Sequence, residues 1–298
     1  MSESRPLEIT VISGKGGTGK TSISGSFAVL ARNAVVADCD VDAANLSLIL
    51  KARTLRSEAF SGSKSPVPDL AKCIGCGVCV EHCRSKALKC HEDKVRVDLL
   101  ACERCQLCHR VCSLGAMGLE DSRSGEWYVS DTSYGTLVHA RLEPGEENSG
   151  KLVTVVRNEA RRLAEAQSAE WVIIDGPPGI GCPVISSLAG TKFALVVTEP
   201  TLSAISDMQR VLDVARIFGV SAGVCINKCD LHKQNAHKIY DSCRELNIPV
   251  LAKIPFNPVF TAAMVNGLPV VEYEKGDVSQ VIRDLWQKVK QAARDAVR

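Results

Sequence analysis

Gly14-Lys15-Gly16-Gly17-Thr18-Gly19-Lys20-Thr21 is the stretch that decides how this chain is read. It stands between an apolar segment, residues 8–13 (EITVIS), and a helical pattern running from Gly19 to about Arg32. A glycine-rich turn between a strand and a helix is the setting of a phosphate-binding loop. The glycines let the backbone curl until several N–H groups point at phosphate oxygens. The helix that follows adds its positive end. In such a loop Lys20 reaches the β and γ phosphates of a nucleotide, and Thr21 ligates Mg²⁺.

Outward from the loop, Asn33 breaks the helix and residues 34–38 (AVVAD) read as a second strand, which completes a strand–helix–strand unit of a parallel sheet. The pattern then changes. Residues 57–68 are rich in Ser, Gly and Pro and read as a linker. A cysteine-dense block occupies residues 67–120. Residues 126–142 alternate like paired strands turning at Gly135, residues 143–150 form a polar loop, and Ser149 is placed to cap a helix reaching Ala166. Strands at 171–175, 193–198, 222–227 and 249–254 then alternate with helices at 203–218 and 232–246, and a last helix covers 278–297. The expected fold is α/β: a P-loop NTPase with a mainly parallel sheet flanked by helices, plus an inserted small α+β domain. Its parts are residues 1–66, the insert 67–120, and residues 121–298.

Composition narrows the class. The 298 residues carry a net charge of +2, against the strongly basic balance of a dedicated nucleic-acid surface, so no nucleic acid is expected as a partner. No apolar run approaches the ~18 residues that span a bilayer. The polar start, Met1 to Glu8, has no signal-peptide core. A cytoplasmic protein is expected. The apolar side of the last helix (Val278, Ile282, Leu285, Trp286, Val289) reads as packing against the sheet, so membrane binding is not expected.

Fourteen cysteines are too many for a reducing compartment unless they hold metal, and nine of them fall between Cys73 and Cys112. Cys73, Cys76, Cys79 and Cys83 recur 29 residues later as Cys102, Cys105, Cys108 and Cys112. This is the C-x2-C-x2-C-x3-C spacing of bacterial ferredoxins, in which three thiolates wrap one cluster and the fourth serves the other. On that rule Cys73, Cys76, Cys79 and Cys112 hold one [4Fe–4S] cluster. Cys102, Cys105, Cys108 and Cys83 hold the second. Structural zinc prefers two separated ligand pairs and leaves the third cysteine of each repeat without a purpose. Proline usually follows the fourth cysteine; Arg84 and Ser113 stand there instead, and Arg84 is placed to raise the potential of the cluster beside it. Cys90, outside the repeat, reads as a small buried residue, as do Cys39, Cys225, Cys229 and Cys243. Cys182 reads as a structural or redox-sensitive thiol.

The KGG at the start of the loop resembles the deviant phosphate loop of the MinD/ParA/Mrp and nitrogenase iron protein superfamily. The resemblance covers residues 8–50 and 150–275, and with the cysteine block the chain looks like a ferredoxin-inserted MinD-type ATPase. It implies that Lys15 contacts nucleotide across a homodimer, joining Lys20 and Asp40 as catalytic residues. It implies that Asp38 holds a magnesium-bound water, that Asp40 orients the attacking water, and that Asp175, at the end of an apolar strand before Gly176-Pro177-Pro178-Gly179, completes the magnesium site with Thr21. Asn227 matches the base-reading position, and Pro255 and Phe256 fall beside the base. Asp230 completes an NKCD string that GTPases also carry; the deviant loop favours ATP. The function this implies is a Mg²⁺-dependent ATPase with ATP, Mg²⁺ and two [4Fe–4S] clusters, whose nucleotide-driven dimer gates electron transfer to an unnamed redox or cluster-accepting protein. The alternatives are a cluster-assembly carrier ATPase and a MinD/ParA-like spatial organiser.

Overall fold

The computed structural model describes residues 5–143, 146 and 149–297. Along the chain come β1 (Leu7–Ser13), α1 (Lys20–Ala31), β2 (Ala34–Asp38), α2 (Leu46–Ile49), β3 (Arg53–Phe60), β4 (Ser63–Pro68), α3 (Val78–Glu81), β5 (Leu88–His91), β6 (Lys94–Val97), α4 (Leu107–Arg110), β7 (Met117–Ser122), β8 (Gly125–Thr132) and β9 (Gly135–Leu142). They continue with α5 (Ser149–Ala166), β10 (Trp171–Pro178), α6 (Cys182–Leu188), β11 (Phe193–Thr198), α7 (Leu202–Ile217), β12 (Ser221–Asn227), α8 (Lys233–Glu245), β13 (Val250–Ile254), α9 (Val259–Val265), α10 (Val270–Tyr273) and α11 (Asp277–Asp295). The chain divides into two units. One comprises Met1–Glu58, Trp127–Arg141 and Ser149–Arg298, the other Ala59–Glu126 and Leu142–Asn148.

Nine strands form one sheet in the order β13-β12-β11-β1-β10-β2-β9-β8-β3. The pairs from β13 through β9 are parallel. Strands buried on both faces read as unbroken apolar runs, as residues 193–198 (FALVVT) do, because helices cover both sides of a parallel sheet. On one face α1 and α11 pack over β1, β10 and β11 through Phe27, Trp171, Ile282, Leu285 and Trp286, all buried. Phe27 and Trp286 meet with ring centroids 4.9 Å apart. On the other face α6, α7 and α8 bring Val184, Met208, Val211 and Ile239 onto Ile12, Val196 and Ile226. The last helix therefore spends its apolar side within the core. No helix among the described residues is long and apolar enough to cross a membrane.

The second unit is built twice over. α3 and α4 start at Val78 and Leu107, and β5 and β7 start at Leu88 and Met117, each pair 29 residues apart. β4 pairs antiparallel with β7, and β5 with β6. Cys79, Leu88, Val95 and Met117 form its core.

Three sequence expectations are corrected. Residues 57–68 are not a linker: they hold the end of β3 and all of β4, whose Ser-Pro-Val-Pro still pairs along one edge. Ser149 is the first residue of α5 and not its cap. Cys90 is exposed: β5 pairs only with β6, and this two-stranded ladder leaves the residue open to solvent, its Sγ 3.7 Å from the Gly75 carbonyl oxygen. Of the polar stretch 143–150, residues 144, 145, 147 and 148 lie outside the described residues, as do residues 1–4 and 298.

Candidate functional site

The phosphate loop leaves β1 and enters α1 with Gly17 and Gly19 in the left-handed region, at φ 77° and 92°. A side chain on Gly19 would overlap the Asn227 amide, so both conformation and space demand glycine there. The far end of β12 pins the loop. Asn227 Nδ2 donates to Thr18 O at 2.8 Å, and Lys228 Nζ donates to Gly17 O at 2.9 Å. Parallel strands end together, so the ends of β1, β2, β10, β11 and β12 bring their following residues to one carboxyl edge.

A cavity of about 540 Å³ opens over this edge, within the roughly 300–1,000 Å³ of a ligand pocket. Gly16, Gly17, Thr18, Gly19, Lys20, Thr21, Asp40, Asp42, Asn227 and Phe256 are among the residues lining it. Gly14, Lys15, Asp38, Asp175 and Pro255 are not. Asp38 and Asp175 are fully buried beneath it, paired in register on β2 and β10.

Lys20 Nζ stands 3.3 Å from Asp40 Oδ2 and 3.4 Å from Asp175 Oδ1. Burial pushes its ammonium toward neutrality, but Asp175, Asp40 and Asp38 outweigh that and hold its pKa above the ordinary value. Asp38 goes the other way: burial and the neighbouring Asp175 push its carboxyl up to about 8. Its two oxygens accept from the N–H groups of Asp40 at 3.2 Å and Leu46 at 3.1 Å, so it braces the segment after β2. Asp175 Oδ1 accepts from Ser24 Oγ at 2.8 Å, while Oδ2 is buried with no partner among the described residues. An unmatched buried carboxylate oxygen is the acceptor a divalent cation or its water satisfies.

Lys15 turns away from the cavity. Its Nζ lies 2.7 Å from Glu199 Oε1 and 3.0 Å from Thr201 Oγ1, and Lys228 holds the other Glu199 oxygen at 2.8 Å. Asp230 Oδ1 accepts from the Phe256 N–H at 2.6 Å, which seats Phe256 at the cavity wall and spends the Asp230 carboxylate on backbone. Sequence reading did not foresee Ser24, Glu199, Thr201 or Lys228. Ser24 sits one turn beyond Lys20 on α1, and the other three follow the ends of β11 and β12, where the strand-end rule would have found them.

In the second unit Cys73, Cys76, Cys79 and Cys112 line one small cavity with Ile74, Val78 and Leu114. Cys108 lies close enough to Cys102 and Cys105 for their charges to interact, and Cys83 and Cys108 pack on the same core. No group of three or more His, Cys, Asp or Glu among the described residues is drawn together tightly enough to hold a metal ion. Each repeat also carries three left-handed residues at matching places: Gly75 and Arg104, Gly77 and Gln106, Lys86 and Gly115. The turns aim backbone N–H groups at sulfur. Arg104 N donates to Cys102 Sγ at 3.4 Å and Ala116 N to Cys112 Sγ at 3.2 Å. In the other half Gly75 and Val95 donate to Cys73 and hold its thiol below the usual pKa. Burial pushes Cys83 up, but the Ser85 hydroxyl and the N–H groups of Ala87, Leu88 and Ser85 outweigh it. Cys182 is exposed at the start of α6.

A glycine–lysine loop at the carboxyl edge of a parallel sheet, with paired buried aspartates below, defines a P-loop nucleotide-binding protein. Residues 9–270 match the model of the CobQ/CobB/MinD/ParA nucleotide binding domain, and the chain belongs to that family. An uncharacterised protein of Methanocaldococcus jannaschii is 32% identical over 290 residues, 96% of this chain and 97% of the relative. The septum site-determining protein MinD of Thermotoga maritima is 29% identical over 127 residues, 41% of this chain and 47% of that protein. In fold, the chain is similar to MinD of Pyrococcus horikoshii complexed with Mg-ADP, with a TM-score of 0.59, 18% identity and 98% of each chain covered.

Proposed function

We propose that this protein is a Mg²⁺-dependent ATPase of the MinD/ParA type whose nucleotide cycle gates electron transfer through two [4Fe–4S] clusters in residues 67–120. The observation that carries the cluster half is the doubled set of left-handed turns, with N–H groups of Arg104 and Ala116 on the sulfurs of the second run and those of Gly75 and Ala87 on the first. An iron–sulfur cubane is a block of atoms, so its thiolates stand apart by the width of the block. That Cys73, Cys76, Cys79 and Cys112 share the walls of one cavity supports a site that draws on all four. Cys102, Cys105, Cys108 and Cys83 would hold the second cluster. Bound clusters supply one-electron chemistry; the chain supplies thiolates and hydrogen bonds.

At the nucleotide site the loop N–H groups and Lys20 bind the β and γ phosphates. Thr21, Asp38 and Asp175 are the residues that would hold Mg²⁺ and its waters, and the unmatched Asp175 Oδ2 fits that role. Asp40, at the cavity wall, orients the attacking water. Phe256 and Asn227, which line the cavity, would flank the base, with Pro255 next to Phe256 in the chain. Lys15 acts across a homodimer. For that it exchanges Glu199 for phosphate, a modest cost, since a part-exposed ion pair is worth about 0–1 kcal/mol. Asp38 braces the segment after β2, so loading the γ-phosphate site pulls on the chain that leads toward the cysteine block.

The family match favours a second reading, an ATP-driven spatial organiser like the MinD relatives. Anaerobic purification with iron and sulfide counting, and EPR with and without MgATP, separates the two. About eight irons and a nucleotide-dependent spectrum support gated electron transfer. Absence of iron leaves the organiser.

A further inference from the structure

The two cysteine runs agree in backbone and differ in what stands beside them. Lys94, half-buried on β6, donates from Nζ to Cys73 O at 2.6 Å. It forms no ion pair with a carboxylate among the described residues. The residue 29 positions on, Arg123, is exposed and paired with Glu126 at 3.3 Å and Glu143 at 3.7 Å. Arg104, a part-buried cation of the second run, is spent on Glu146 at 2.5 Å and Ser65 at 3.2 Å. Lys72 beside Cys73, Arg84 and Lys86 flanking Cys83, and Arg110 between Cys108 and Cys112 are exposed and therefore screened by solvent. What the set Cys102, Cys105, Cys108 and Cys83 has in place of a charge is a hydroxyl: Ser85 Oγ lies 3.6 Å from Cys83 Sγ, where its repeat partner is Leu114.

We propose that Lys94 makes the cluster held by Cys73, Cys76, Cys79 and Cys112 the higher-potential member of the pair, so that the first electron delivered to the protein rests there. This rests on the two-cluster reading above. Reduction adds one negative charge to a cluster, and a fixed cation stabilises that charge directly. A neutral hydroxyl offers only a dipole, so Ser85 raises the other cluster by less. The balance is simple: a one-electron donor loses an electron, the first cluster gains it, and no bond or proton changes hands.

The test is an EPR-monitored potentiometric titration of the intact protein with dithionite and mediators. Wild type gives two one-electron waves. Lys94→Met shifts the higher wave to lower potential and leaves the other in place; Lys94→Arg restores it. Ser85→Ala shifts only the lower wave, widening the gap, which assigns the waves independently. The proposal is overturned if Lys94→Met moves neither wave, moves both alike, or moves the same wave as Ser85→Ala. Iron and sulfide counts on each variant separate the two failures. Full counts with unmoved waves sink the role of Lys94 alone, whereas low counts in wild type sink the cluster reading and this inference with it.

Discussion

Burial alone pushes the Lys20 ammonium toward neutrality. Asp175, Asp40 and Asp38 outweigh that, and the result is a fixed cation at the cavity, where the proposed function puts the γ-phosphate. Replacing it leaves Asp175 and Asp40 facing each other without a counter-charge. Lys20→Ala is expected to lower the ATPase kcat by roughly 10²–10³-fold, the usual loss when one preorganised electrostatic group is removed, measured as phosphate release. Asp38 carries a pH signature. Its carboxyl titrates at 3.8 in the ordinary state and at about 8 in the fold. Between those values the folded protein keeps a proton that the unfolded chain has released, so stability falls as pH rises through the window. The thermal midpoint of nucleotide-free protein should therefore drop from mildly acid to mildly alkaline pH. MgATP should flatten the slope by supplying a cation near the acid pair, and Asp38→Asn should remove most of it. A slope of opposite sign in wild type would refute the assignment.

Elements differ in how far they announce themselves. Strands β1, β2, β10, β11 and β12 were legible because unbroken apolar runs between turn signals have one good reading in an α/β chain. The repeat was legible because cysteine spacing is chemistry and not propensity. β4 was hidden: its prolines and serines mark a linker by composition, and only pairing with β7 makes it a strand. The Lys15–Glu199–Lys228 chain was hidden too, since it joins residues that meet only once the strand ends align. The repeated turns give a comparison within one element. Gly77 (φ 78°) has open space where a Cβ would go, whereas at Gly75 (φ 67°) a Cβ would fall 2.5 Å from the Asp93 carbonyl oxygen. Gly77→Ala should cost about 1 kcal/mol for the left-handed backbone, and Gly75→Ala distinctly more, read as thermal midpoints of anaerobic protein. Arg104 and Gln106 occupy the matching places of the other half and mark the conformation as tolerable where space allows.

At the scale of the molecule, a nucleotide-binding fold and a cysteine module share one chain, and each has its own core. If the nucleotide site owes nothing to the module, a variant in which a two-residue turn replaces residues 61–123 should bind an ATP analogue with a Kd within about tenfold of wild type, a change of ~1.4 kcal/mol. It should carry no iron. Calorimetry and metal analysis check both, and loss of nucleotide binding would show that the module supports the site. The variant is feasible because of one detail. Ser124 N donates to Phe60 O at 2.8 Å, so the insert leaves the chain where it entered. A segment whose two ends already touch is a cassette: lineages can gain or drop it in one recombination event without re-threading the host. Relatives lacking the cysteines are then expected to keep Phe60 and Ser124 as neighbours across a short hairpin, the scar of the missing part.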